Sequence, residues 1–367
     1  MTAPVALSDD ELAKLRASCT RFLTHHRPRP VRETLESLAR ATSPELEFDR
    51  YGAAAWLADF ESRVARELGK EAAVFMPTGT MAQQIALRIW CDRARNRTIA
   101  FHPTCHLEIH ESRGYAMLHD LHALLVGSAS QLITLADVQA IADPLAAFLF
   151  ELPQREIGAQ LPPWDELVAL CVAARATGAK LHLDGARLWE ATPFYGRPRA
   201  EICALFDSVY VSFYKGLGAL AGAILAGDAS FVAEARLWQH RHGGRPVTIA
   251  PFALSAAHGF ETNLPKMESY RDRALEIGAA FSKLDGVEVV PSPPQTNTFH
   301  VYLHGERAEL EARAHSLARE RGTFVFGRLA ATALPSLHRW EFVVGDATLE
   351  LELDEIVSAA TFVAARA

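Results

Sequence analysis

Long apolar runs are missing from this 367-residue chain: no charge-free stretch reaches the roughly 18 residues that a membrane span requires. Its N-terminus, MTAPVALSDDELAKLRASC, lacks the basic-then-apolar order of a secretory signal. Cysteine is scarce and scattered, at Cys19, Cys91, Cys105, Cys171 and Cys203, with no CxxC spacing, which excludes a disulfide framework and a thiolate zinc site. Reduced thiols in a cytoplasmic protein are expected. Positive charge is also short, 37 Lys and Arg against 44 Asp and Glu, and the net −7 offers no basic stripe to nucleic acid or to an anionic membrane. No internal repeat or low-complexity tract is present. What is there, 49% hydrophobic and 22% charged residues, is the composition of a globular protein whose partner is a small molecule.

The length exceeds the usual size of one core, so a large domain with a smaller satellite is expected. Residues 8–22 carry helical spacing after Ser8, and the following THHRPRPVRE is too rich in Pro and Arg for a regular element, so residues 1–50 read as an arm with a helix that lies against another surface. WLADFESRVARELG is an amphipathic helix stopped by Gly69, then come a strand at Ala72–Met76, the turn Pro77-Thr78-Gly79-Thr80 and a helix from Met81. Apolar runs at Thr98–Phe101, Ala146–Phe150, Lys180–Leu183, Ser208–Ser212 and Ala221–Ala226 alternate with helical patterns. That order predicts an α/β domain over 51–260, with a mostly parallel sheet and a ligand site at the C-terminal strand ends. From 261 to 367, helices alternate with the strands VEVV, NTFHVYL, TFVF and RWEFVV, a small α+β domain.

The chemistry concentrates in LHLDGARLWEA and, about thirty residues on, SVYVSFYKGLGALAGAILAGD. Asp184 closes one apolar strand; Lys215 closes the next and enters a Gly-rich turn. Pyridoxal phosphate needs this pair, because a buried carboxylate keeps its pyridine nitrogen protonated and a partly desolvated lysine amine bonds its aldehyde. Singly, Asp184 reads equally as a helix N-cap and Lys215 as a surface lysine. A phosphate site tips the balance: Gly79 and Thr80 open a helix after a strand, where free N–H groups and the dipole attract an anion. His106, in HPTCHLEIHE beyond Phe101, falls at the same rim, able to stack on a ring and exchange protons. No acidic or Cys spacing turns His102, His106 and His110 into a metal site.

Through DRYGAAAWLADFESRVARELGKEAAVFMPTGTMAQQIAL, CHLEIHE, HLDGARLWEA, YKGLGALAG and PPQTNTFHVYL, nearly the whole chain resembles the threonine aldolase and β-eliminating lyase family of fold-type I pyridoxal-phosphate enzymes. The resemblance implies a phosphate held by Gly79 and Thr80, His106 stacked on the ring, Asp184 on the pyridine nitrogen and Lys215 bonded to the cofactor. It further implies substrate-carboxylate contacts from Arg187 and Arg339, and a homodimer or homotetramer in which Arg245, or alternatively Arg241, reaches a neighbour's phosphate. The implied reaction is retro-aldol cleavage of a β-hydroxy-α-amino acid to glycine and an aldehyde, with His106 or a water it positions as base. β-Elimination or other Cα–H chemistry, and a non-catalytic cofactor-binding protein, are the alternatives.

Three departures from the family pattern bear on the substrate. ELPQREIGAQ stands where Glu-Asn-Thr-His-Asn is usual, which puts Gln154 in the place of a histidine beside the β-hydroxyl. RFLTHHRPRP replaces the arm Ser-Asp-Thr-Val-Thr-Arg-Pro and aligns only through Arg27 and Pro28. Tyr214 precedes the lysine instead of a small residue, and is expected to crowd the phosphate side.

Overall fold

A computed structural model describes residues 7–365. Its first helix, Asp9–Ser18, starts with a reciprocal cap: Ser8 Oγ accepts the Glu11 N–H at 3.3 Å, and the Glu11 carboxylate accepts the Ser8 N–H at 2.8 Å. The segment after it corrects the expected arm. Arg21–Phe22 (β1) pairs in parallel with Thr323–Phe324 of the same chain, Phe22 and Leu23 are buried, and Arg27 pairs with Glu350 at 2.7 Å. Irregularity also stops sooner than expected, because VRETLESLARA forms the helix Val31–Ala41 as soon as Pro30 is passed.

The chain divides into two compact units: the larger comprises residues 34–157 and 161–265, and the smaller takes the residues through Glu33, 158–160 and those from Lys266 on. In the larger unit the strands are Ala72–Met76 (β2), Thr98–Phe101 (β3), His122–Leu125 (β4), Ala147–Glu151 (β5), Lys180–Gly185 (β6), Ser208–Ser212 (β7) and Ala223–Gly227 (β8). They form one sheet of order β2-β8-β7-β6-β5-β3-β4, parallel from β7 to β4, with β8 antiparallel to both its neighbours. Near-continuous apolar strands such as AFLFE and SVYVS belong in such a sheet, where both faces are covered. The helix Gly79–Ala94 lies in the core, with Ile85, Leu87, Ile89 and Trp90 packed beside Val74 and Leu225. Burying each such side chain contributes about 1.5–3 kcal/mol. The sequence pattern did not reveal β4, a short strand of exposed and half-buried residues.

The smaller unit holds Val287–Val290 (β9), Thr298–His304 (β10), Thr323–Phe324 (β11), Ala330–Ala331 (β12) and Leu337–Val343 (β13). Its antiparallel sheet has the order β12-β13-β10-β9. TFVF does not join it, since β11 is the partner of β1. Period-two alternation is clear in β13: His338, Trp340 and Phe342 are buried, while Leu337, Arg339, Glu341 and Val343 take the other face. Arg339 is therefore inside a strand, which starts two residues before the RWEFVV run read from the sequence.

Candidate active site

Asp184 sits near the C-terminal end of β6 and is 1% exposed. Its Oδ1 accepts the Ala186 N–H at 3.0 Å, and its Oδ2 accepts an N–H of the Gln83 side chain, one turn into the helix that follows the Pro-Thr-Gly-Thr turn. Behind Gln83 a buried chain of bonds runs across the sheet. Trp90 Nε1–H donates to Ser208 Oγ at 2.8 Å, Ser208 Oγ lies 2.8 Å from His182 Nδ1, and His182 Nε2 lies 3.1 Å from Gln83 Oε1. Burial pulls His182 down to about 4, so the ring is neutral, and the only consistent assignment has Nε2–H donating to Gln83. Asp184 is thus held by neutral donors, leaving its charge for another cation.

One strand over, Glu151 ends β5 in register with Asp184. Loss of hydration and then the charge of Asp184 push its carboxyl up to about 8. Gln154 is buried beside it, with Nε2–H groups donating to Thr104 Oγ1 at 3.1 Å and Glu151 Oε2 at 3.2 Å.

Lys215 lies three residues beyond the end of β7, in the turn to β8, not at the strand end itself. The turn closes on itself, with the Gly218 N–H donating to the Lys215 carbonyl at 3.0 Å and Gly218 at φ +67°, a conformation costly for any residue with a Cβ. Desolvation, then the Arg187 guanidinium, lower the amine to about 8. Arg187 is half-buried at the start of the helix Leu188–Tyr195. The Tyr214 ring is 42% exposed, its centroid 6.0 Å from Lys215 Nζ.

The Gly79–Ala94 helix is capped by Thr78, whose Oγ1 accepts the Met81 N–H at 3.2 Å. Gly79 and Thr80 precede the first intrahelical bond, so their N–H groups have no partner within the helix. A Cβ on Gly79 would stand 2.0 Å from the Tyr210 hydroxyl, which restricts this position to glycine. His106 opens the short helix His106–Ile109 beyond β3; its Nδ1 is 3.0 Å from Glu111 Oε1 and its ring 4.9 Å from that of His110. Glu111 Oε2 and Ser212 Oγ are buried without a hydrogen-bond partner among the described residues.

The larger unit therefore contains Gly79, Thr80, His106, Gln154, Asp184, Arg187 and Lys215. Arg245, also there, is exposed and donates from Nε and Nη2 to the Tyr51 carbonyl at 2.9 and 2.6 Å; Arg241 stacks on Trp238 at 4.6 Å. Arg339 belongs to the smaller unit. Sequence reasoning missed Gln83, Glu111, Glu151, Glu190 and Tyr210. The signal for Glu151 was its place at the end of a strand, as for Asp184.

These residues fit pyridoxal phosphate: a buried carboxylate that, among the described residues, has no cationic hydrogen-bond partner, a lysine with lowered proton affinity, and a glycine-started helix. Among the described residues no group of three or more His, Cys, Asp or Glu is placed to hold a metal ion. The β-eliminating lyase family model matches residues 29–306. The chain belongs to that family. It is a fold-type I, pyridoxal-phosphate-dependent lyase. A Listeria monocytogenes protein assigned as an L-allo-threonine aldolase has a structure 43% identical in sequence, covering 96% of this chain and 99% of its own, with a TM-score of 0.91. An Exiguobacterium protein assigned as an aromatic amino-acid β-eliminating lyase or threonine aldolase is 41% identical over 95% and 99% of the two chains, with a TM-score of 0.90. Low-specificity L-threonine aldolase 1 of Arabidopsis thaliana is 28% identical over 65% of this lyase and 69% of its own length.

Proposed function

We propose that this lyase cleaves a threonine-type β-hydroxy-α-amino acid to glycine and an aldehyde. The near full-length likeness to the Listeria protein carries the reading, and the His106–Glu111 pair supplies its acid–base chemistry. Pyridoxal phosphate, when bound, supplies an electron sink for the pair released from a bond at Cα. Asp184 would keep a proton on the ring nitrogen, Lys215 would carry the aldehyde, and Gly79 and Thr80 would hold the phosphate. Arg187 would pair with the substrate carboxylate through its planar fork. Glu111 accepts the Nδ1–H of His106 and leaves Nε2 as the base that takes the β-hydroxyl proton while the Cα–Cβ bond breaks. Gln154 has no basic group, and both its amide hydrogens are committed to Thr104 and Glu151; its role is to shape the hydroxyl's surroundings. Arg339 is proposed as a second carboxylate contact on the resemblance alone.

We further place the enzyme in the cytoplasm, whose reducing conditions suit five buried free thiols, and as a homodimer at least. Phe48, Tyr51 and Val247 are 74, 50 and 62% exposed, and the Tyr51 N–H donates to the Val247 carbonyl while the Tyr51 carbonyl accepts from Arg245, so exposed apolar side chains lie beside that arginine. A second copy would cover them and receive Arg245. Assaying L-threonine, L-allo-threonine and a β-phenyl analogue for glycine plus aldehyde tests the reaction. Keto acid and ammonia in their place would turn the assignment to β-elimination.

A further inference from the structure

Glu190 lies on the first turn of the helix that begins just after Arg187, and it is 2% exposed. Its Oε1 accepts the N–H of Gly216, the residue following Lys215, at 3.0 Å. Oε2 is buried and has no hydrogen-bond partner among the described residues. Contact with the lysine turn is tight, for a Cβ on Gly216 would come 2.2 Å from Oε1. A carboxylate has this place at some energetic cost, since an amide or an apolar side chain would fill it without desolvating a charge. The cations within its electrostatic reach are Arg187 and Lys215; burial raises its proton affinity and these two oppose that. Lys215 in turn senses Arg187, Asp184, Glu151 and Glu190, and has the Tyr214 ring beside it.

We infer that Glu190 is a positioning residue for Lys215: its carboxylate pins the Lys215–Gly216 turn through one oxygen, and its charge helps the lysine amine hold its proton. Without that charge, desolvation and Arg187 would drive the amine neutral at lower pH. Asp184, at the end of the neighbouring strand, adds its charge, and Glu190 also bonds to the turn that carries the lysine. The inference rests on Lys215 as the cofactor lysine for its catalytic meaning; the effect on the amine stands apart from that.

The test measures the pH dependence of Lys215 acetylation by acetic anhydride in the full-length chain freed of cofactor, read on the Lys215 peptide by mass spectrometry. Wild type should be half-reactive near pH 8. Glu190→Gln keeps the acceptor for Gly216 and loses the charge, so its midpoint should fall by about one pH unit, a tenfold change in the amine-to-ammonium ratio. Glu190→Asp keeps the charge but falls short of Gly216; its midpoint should stay near wild type while cofactor affinity drops. Should Glu190→Gln not fold, Gly216→Ala displaces the same carboxylate and should lower the midpoint in the same direction. An unchanged or raised midpoint in a folded Glu190→Gln protein overturns the inference. Borohydride reduction of the yellow holoenzyme, followed by peptide mapping, separately checks the lysine: a label outside the Lys215 peptide would remove the site assignment, whatever the acetylation midpoints show.

Discussion

Glu151 and Asp184 stand opposite each other in register on parallel strands, and burial with mutual repulsion leaves Glu151 protonated at neutral pH. In the unfolded chain Glu151 ionises near 4.5, in the fold at about 8. Between these values the unfolded state has lost the proton and the native state keeps it, so this group's contribution to stability falls as pH rises through the window. Lys215, lowered to about 8 from 10.5, acts in the opposite sense: above pH 8 the unfolded chain holds the extra proton, and stability rises. Urea unfolding of Glu151→Gln and wild type at pH 5 and pH 8 should show the variant gaining relative stability with pH, by at most about 1.4 kcal/mol per pH unit. Parallel curves would mean that Glu151 is ionised in the fold.

Replacing Asp184 by Asn should lower kcat by about a hundredfold or more while changing cofactor affinity far less, because the lost term is charge stabilisation during reaction. The Gln83 contact still has a side-chain oxygen to reach. Equal losses in rate and affinity would contradict the role given to Asp184.

Gly79→Ala places a methyl group 2.0 Å from the Tyr210 hydroxyl. Since Tyr210 is fully packed, the clash has to displace helix or ring, at about 1–3 kcal/mol. Thermal unfolding should register that loss, and fluorescence titration should show weaker binding of pyridoxal phosphate. A variant as stable as wild type would show that Tyr210 is free to turn away.

If Arg245 acts across a dimer, Lys215→Ala and Arg245→Ala proteins, each inactive alone, should regain activity on subunit exchange, since one hybrid site then has both native residues. Hybrids shown to form by mass spectrometry yet lacking activity would confine Arg245 to its own chain. A fully active monomer on dilution would exclude the shared site altogether.

Local signals were enough for much of this lyase. Apolar runs alternating with helical periods foretold the parallel sheet, and Asp184, Lys215 and the Gly79 turn were legible because the strand-end position, the Gly-rich loop and the helix start are each encoded within a few neighbouring residues. Strand β4 was not, since four exposed or half-buried residues leave no apolar pattern. The arm's partner within its own chain was not legible, because Thr323–Phe324 lies near the other end of the sequence. The surroundings of the two central residues likewise came only with the tertiary structure. Glu151 meets Asp184 because β5 and β6 pair in one register, Gln83 and His182 meet because a helix crosses the sheet, and Glu190 meets Gly216 because β6 and β7 are neighbours, which brings the helix after one beside the loop after the other. Charge and burial at such points depend on distances between segments remote in sequence, and packing alone sets those distances.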